Sequence, residues 1–347
     1  MSSTTASTSL SLPRRRTLPA WVGPIAILII AYAVIPAVGS SYLFEAILLP
    51  FLALSLAALG LNVPTGYTGQ VSLGSATFFA IGAFGAYNLD LRIPGLPLLV
   101  TIVLAGLIAA AGGLVFGLPS LRLRGFYLAV STLATQFFVQ WLLTNFSWFS
   151  NGSNSGVIDA PALRAFGITF STSVGRYYFS LTIVTVLTFL TWRLVHSATG
   201  RHFIAVRDNE TAARIIGVPV LKTKLLAAAV SSFIIGVAGV LWAFTYLRTV
   251  EPAGFNLDRS FEILFIIIIG GLASIRGAFL GAALIVVFPL LLSRLGALLL
   301  GDSFDSGVLD MSQRIVLGAL IILFLITEPD GLSSLWDRIT ARPGRTT

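Results

Sequence analysis

The chain of 347 residues contains no cysteine. Disulfides and thiolate-ligated metals are therefore excluded. Only two histidines occur, His196 and His202, too few for a histidine metal cluster. Charge is also scarce: Asp, Glu, Lys and Arg make up 10% of the chain, against about 25% in an ordinary soluble domain. A water-soluble fold of this size could not cover its surface with so few charged groups, whereas a chain dissolved in lipid need not. Composition thus excludes an ordinary cytosolic enzyme, a secreted disulfide scaffold and a disordered chain. Catalytic motifs are missing as well. Gly-Lys occurs nowhere, so the chain has no P-loop to cradle ATP. No His-Glu pair has metalloprotease spacing, and no Gly-x-Ser-x-Gly elbow occurs. Ser72 and Ser75 lie beside Gly74, but no histidine is placed to serve as their base.

What is abundant is apolar sequence, at 56% of residues. A spanning helix needs roughly 20 mostly apolar residues. Leu98–Leu118 and Leu225–Leu247 meet that standard cleanly. Further candidates are Trp21–Val38, Leu43–Leu61, Val71–Leu89, Tyr127–Asn145, Tyr177–Trp192, Phe261–Ala273, Gly277–Leu292 and Ser312–Thr327. The fold class expected is all-α: a polytopic membrane helical bundle of about ten transmembrane helices. Residues 21–327 form the membrane domain, preceded by a disordered basic segment, 1–20, and followed by a tail, 328–347. The Arg-rich start, the apolar run and Ala31-Tyr32-Ala33 imitate a signal peptide. The run is longer than a usual signal core and many spans follow it, so it is read as a retained helix.

Net charge is +8, which by itself also fits a nucleic-acid partner. The position of the charge argues otherwise. With Arg14, Arg15 and Arg16 inside, both termini fall in the cytoplasm, and 15 of the 22 basic residues face inward. That is the inward surplus of Lys and Arg typical of membrane proteins, and no nucleic-acid partner is expected. Two loops are long: an outer one, 146–176, and an inner one, 196–224, which carries most of the cytoplasmic charge.

Ion-coupled carriers place ionisable groups inside their spans. Here Glu45, Glu262, Arg276 and Arg294 fall near expected span ends, where long side chains reach the interface at little cost. Within the spans the polar groups are uncharged, among them Asn62, Gln70, Ser72, Thr132 and Gln136. Two readings stay open for these: lining of a wet path, or hydrogen-bonded glue between helices. Energy would then come from a partner, or the chain would be a channel. Gly- and Pro-rich stretches interrupt the apolar runs twice, at Gly60–Gly74 with Pro64, Gly66 and Gly69, and at Gly270–Gly281 with Gly271. Such breaks point to a transporter's binding region; a tight turn at the membrane face is the competing reading. The inner loop segment Gly200–Gly217 reads as one short amphipathic helix. Asp208 and Glu210 are expected near its start, with Phe203, Val206, Ile215 and Ile216 as apolar knobs. A resting place on lipid is its other reading.

At these segments the chain resembles the permease subunits of branched-chain amino acid ABC importers, of the LivM type. The resemblance is carried by GLNVPTGYTGQVSLGSATFFAIGAFG at 60–85, LRLRGFYLAVSTLAT at 121–135, NGSNSG at 151–156, the loop 200–217 and the break 270–281. It implies a multi-pass protein of the bacterial inner membrane, without enzymatic activity. It implies two ATPase subunits, a second, LivH-like permease and a solute-binding protein as partners. The chain would hold no cofactor of its own; ATP and Mg²⁺ would belong to the ATPase. The resemblance also assigns roles. Arg207, Asp208, Glu210, Ala212, Ala213 and Gly217 would couple to the ATPase. On the wet-path reading of the polar groups and the breaks, Asn62, Gly66, Gly69, Gln70, Ser72, Gly74, Thr132, Gln136, Gly270 and Gly271 are the candidates to line the path. Asn151, Gly152, Asn154 and Gly156 would meet the binding protein. Thr211 stands where the coupling motif often has Glu. Alternatives are a urea or short-amide permease with the same fold, or an ATP-independent channel or secondary carrier.

Overall fold

The computed structural model describes residues 22–120, 125–152, 158–159, 164–165, 168–169 and 172–300, and scattered positions between 315 and 335. The N-terminal segment 1–20, most of Ser312–Thr327, Arg122, Arg124 and most of the tail 328–347 lie outside the described residues.

The chain divides into two units at Gly39. The first contains α1 (Val22–Ile29), a π-type turn over Ile30–Val34 and α2 (Ile35–Val38). Pro36 sits in the first turn of α2, where its missing N–H costs no bond. The second unit carries α3 (Leu49–Asn62), α4 (Ser75–Arg92), α5 (Leu98–Ser120), α6 (Phe126–Asn145), α7 (Ser173–Val195), α8 (Ala198–Asp208), α9 (Glu210–Ile215), α10 (Val220–Leu241), α11 (Leu257–Gly270) and α12 (Ile275–Leu300). Two small antiparallel ribbons accompany them. β1 (Ile158–Asp159) pairs with β4 (Thr249–Val250), and β2 (Arg164–Ala165) pairs with β3 (Ile168–Thr169).

Among the described residues, five helical segments are long and apolar enough to cross a membrane: Leu43–Tyr67, Leu98–Leu118, Ser173–Val195, Val220–Leu247 and Ile275–Arg294. The other expected spans that are described are helical but either shorter, as at Ile25–Val38, or weaker in apolar character. α4 starts at Ser75 rather than Val71 and carries Asn88, Asp90 and Arg92 near its C-terminal end. α6 contains Gln136 and Gln140. α11 has only 14 residues, about 21 Å of rise, too short for a bilayer core of about 30 Å.

α3 is the axis of the second unit. All its residues except Phe51 are buried, and α7, α10, α11 and α12 pack around it. α10 in turn packs on α4 and α5. Lipid offers no hydrophobic drive for one apolar helix to bury against another, so close backbone approach must supply the attraction. Glycines provide it. A Cβ on Gly82 would overlap the Gly236 carbonyl, and one on Gly239 would overlap that of Phe79. The small-residue pair Gly277 and Gly281 lets α12 lie against α11 in the same way, at Gly270 and Ile266.

Candidate functional site

The two broken segments, far apart in sequence, meet in space. α3 continues past Asn62 into a π-type turn, Val63–Tyr67, that absorbs Pro64. The Pro64 carbonyl is satisfied by the Thr68 hydroxyl (2.8 Å) and the Gln70 N–H (2.9 Å), which turns the chain back toward α4. Between α11 and α12 the chain reverses through Gly271 (φ +112°) and Ala273 (φ +57°). The Asn62 side chain clasps that turn: its Nδ2 donates to the Ser274 carbonyl (2.9 Å), and its Oδ1 accepts from the Ala273 N–H (2.9 Å). Asn62 is fully buried. Gly66 lies against both, where a Cβ would overlap Asn62 Oδ1 and the Ala273 amide. Gly270 fits against the Gly277 backbone under the same restriction. Asn62, Gly66, Gly270 and Gly271 therefore build a joint between the two breaks.

The inner loop leans on this joint. The Arg207 guanidinium donates to the Gly66 carbonyl (3.3 Å), and Gly69 (φ +69°) packs under the Arg207 stem. The loop is two helices rather than the single one expected. Asn209 is extended (φ −161°), ends α8 and caps α9, its Oδ1 accepting from the Thr211 (2.9 Å) and Ala212 (3.0 Å) N–H groups. The physical reason is the preference of Asn for capping over helix interiors. Glu210 consequently opens α9 as expected, whereas Asp208 closes α8 and contacts Arg207 (3.1 Å). α9 ends at Gly217 (φ +86°), with Val218 N–H bonded to the Ala213 carbonyl (2.9 Å) and Gly217 N–H to that of Arg214 (3.1 Å). This paired closure needs a residue at ease in the left-handed region. Of the expected knobs, Phe203 and Val206 face inward, while Ile215 and Ile216 are 81% and 73% exposed. Ala213 is buried with Val206, Val218 and Val220, so it holds the loop together rather than offering contact surface. Glu210 is ion-paired with the buried Lys224 of α10.

The path candidates separate into distinct groups. Gln70, Ser72, Gly74 and Thr132 line a cavity of about 60 Å³ between the first break, α5, α6 and α10, with Thr135, Ser231 and Ser232 adding hydroxyls. Thr132 also accepts from the Leu73 N–H (2.9 Å). Gln136 does not face that cavity. Its Oε1 accepts from Thr77 (2.9 Å) and Ser260 (3.3 Å), and its Nε2 donates to the Phe255 carbonyl (2.8 Å). It therefore acts as glue between α4, α6 and α11. Of the outer-loop candidates, Asn151 (φ +51°) and Gly152 (φ +76°) form a turn after α6. Asn154 and Gly156 lie outside the described residues.

Sequence reasoning missed two features. Lys224 was read as loop charge, yet it anchors α9. Glu262, expected near a span end, lies in the second turn of α11 and is paired with Arg259. Their spacing of three on α11 is a readable signal of that pair.

A family described as branched-chain amino acid transport system, permease component, matches residues 43–325. The high-affinity branched-chain amino acid transport permease LivM of Salmonella typhimurium is 33% identical over 297 residues, covering 79% of this chain and 66% of that protein. Its Escherichia coli counterpart is 32% identical over the same shares. A probable LivM of Methanocaldococcus jannaschii is 26% identical over 329 residues, covering 84% and 93%. The chain thus spans just under two thirds of the two enterobacterial relatives.

Proposed function

The chain belongs to the branched-chain amino acid transport system permease family, and on that premise we propose that it forms one half of the pathway of an ABC importer for these or related amino acids. It is a multi-pass membrane protein of that family. In this reading ten helices cross the bacterial inner membrane with both termini in the cytoplasm. A LivH-like second permease completes the path, and a solute-binding protein delivers cargo at the outer loop. ATP and Mg²⁺ act in two partner ATPase subunits.

One observation carries the reading: the α8–α9 loop is tied to the joint between the broken helices. The exposed Ile215 and Ile216 offer a grip for a soluble partner. Arg207 connects that grip to Gly66, and Glu210 connects it to α10 through Lys224. A push on α9 is thus delivered to the backbone of the first break and, through Asn62, to the second. Packed elements that move as rigid bodies turn such a push into rocking of helices, the basis of alternating access. In this reading the rocking opens and closes the small cavity beside the first break, whose mostly apolar lining carries Gln70 and several hydroxyls.

The test is uptake of leucine by the assembled transporter in liposomes, with ATP supplied on the ATPase side. ATP-dependent accumulation that needs all partners is the expected result. Flux through this chain alone would replace the reading with a channel or secondary carrier. Accumulation of urea but not leucine would move the cargo to short amides.

A further inference from the structure

The sequence offered no matched acid and base inside the membrane, yet the structure contains one. Arg259 and Glu262 form an ion pair near the start of α11. Its depth follows from Gln136, which lies midway along the 20-residue α6 and bonds both the Phe255 carbonyl and Ser260. Ser260 adjoins Arg259, so the pair lies level with the middle of α6. Ionisable groups there are costly and need a reason.

The ion pair itself fastens no helices. The Glu45–Arg176 and Glu210–Lys224 pairs each bridge two elements. Arg259 and Glu262 share one helix, three residues apart, so their bond joins nothing. Arg259 instead reaches across to the π-type segment Trp242–Leu247 that continues α10, where its guanidinium carbon lies 4.2 Å from the centre of the Trp242 ring. Donors are left over at this spot. Arg259 Nε and the Trp242 indole N–H, both buried atoms, have no hydrogen-bond partner among the described residues. Trp242 is itself only 5% exposed. The ion pair stays partly open, its side chains 21% and 29% exposed. Trp242 is backed by the rings of Phe79 (6.1 Å) and Tyr246 (4.6 Å), an apolar wall beside the charges.

We propose that Arg259, Glu262 and Trp242 form a station in the translocation pathway that receives a zwitterionic amino acid. Unused donors on Arg259 and Trp242 meet its carboxylate, Glu262 meets its ammonium, and the aromatic wall meets an aliphatic side chain. The chain also begins α11 here, after the interruption Arg248–Asn256, and broken helices of this kind bring helix N-termini to anionic groups in transporters. A bound zwitterion would replace the internal ion pair by two external ones, so the charges stay compensated whether the station is empty or full.

The inference rests on the permease reading and is tested in the same assembled transporter. Arg259→Gln and Glu262→Gln should each lower ATP-driven leucine uptake by about tenfold or more, the effect of losing a charge-assisted hydrogen bond. ATP hydrolysis stimulated by the loaded binding protein should persist, because the coupling loop is untouched. The swap R259E/E262R restores the pair but reverses its charges, and uptake should stay low. Arg259→Lys keeps the charge and the pair while removing Nε, and should lower uptake with assembly intact. Uptake at the wild-type level in Arg259→Lys and Glu262→Gln, or recovery in the swap, would overturn the station and leave the pair structural. A wild-type complex inactive toward leucine would instead overturn the permease reading.

Discussion

Asn62 carries more of the site than any other single side chain. It is an amide buried among apolar helices, and both ends of it are bonded to the second break. Asn62→Leu keeps the bulk but leaves the Ala273 N–H and the Ser274 carbonyl without these bonds. A loss of about 1–3 kcal/mol is expected, read as a lowered unfolding midpoint of the detergent-purified complex; an unchanged midpoint would show that the clasp holds nothing. Gly82 is a second such position. Gly82→Ala drives a methyl into the Gly236 carbonyl, so α4 and α10 must part. Overpacking of this kind costs about 1–3 kcal/mol, and the same midpoint should fall. These roles were half legible in the sequence. The glycines and Pro64 announced interruptions, but nothing local to Asn62 identifies a partner more than two hundred positions away.

Elements show where one-dimensional reading succeeds and where it stops. Long apolar runs such as α5 and α10 were found directly, because hydropathy records what each stretch can dissolve in. Depth is a different quantity. α11 is expected as a span with Glu262 near its end; Glu262 does lie in its second turn, but the helix has only about two thirds of the length a bilayer core needs, and its start is held at the middle of α6 by Gln136. Tertiary hydrogen bonds set that level, so no periodicity could reveal it. The loop was misread for another reason: amphipathic spacing continues across Asn209, while the capping bonds interrupt the helix there. That division is directly testable. Asn209→Ala removes the cap of α9 at a cost of about 1 kcal/mol. Amide exchange at Thr211 and Ala212 should then quicken by about fivefold. Unaltered exchange would mean that the cap is unnecessary.

For the whole molecule, the absence of cysteine becomes a tool, since any cysteine introduced is the sole one. Trp148, beside Arg92 at one end of the bundle, and Ile215, on α9 at the other, are both exposed. In intact cells, an impermeant maleimide should label Trp148→Cys from outside and leave Ile215→Cys unlabelled until the membrane is opened. The reverse pattern would invert the orientation argued from the arginines. The joint between the breaks has a last consequence, for the order in which the chain is made. Asn62 leaves the ribosome 211 positions before Ala273. At bacterial or slower elongation rates of about 5–20 residues per second, its amide waits some ten to forty seconds for its partner. Throughout that interval the early helices are a nascent half-bundle with an open polar seam. The second break completes the first, and a ribosome stalled before Ala273 would leave in the membrane a seam for quality-control proteases to recognise.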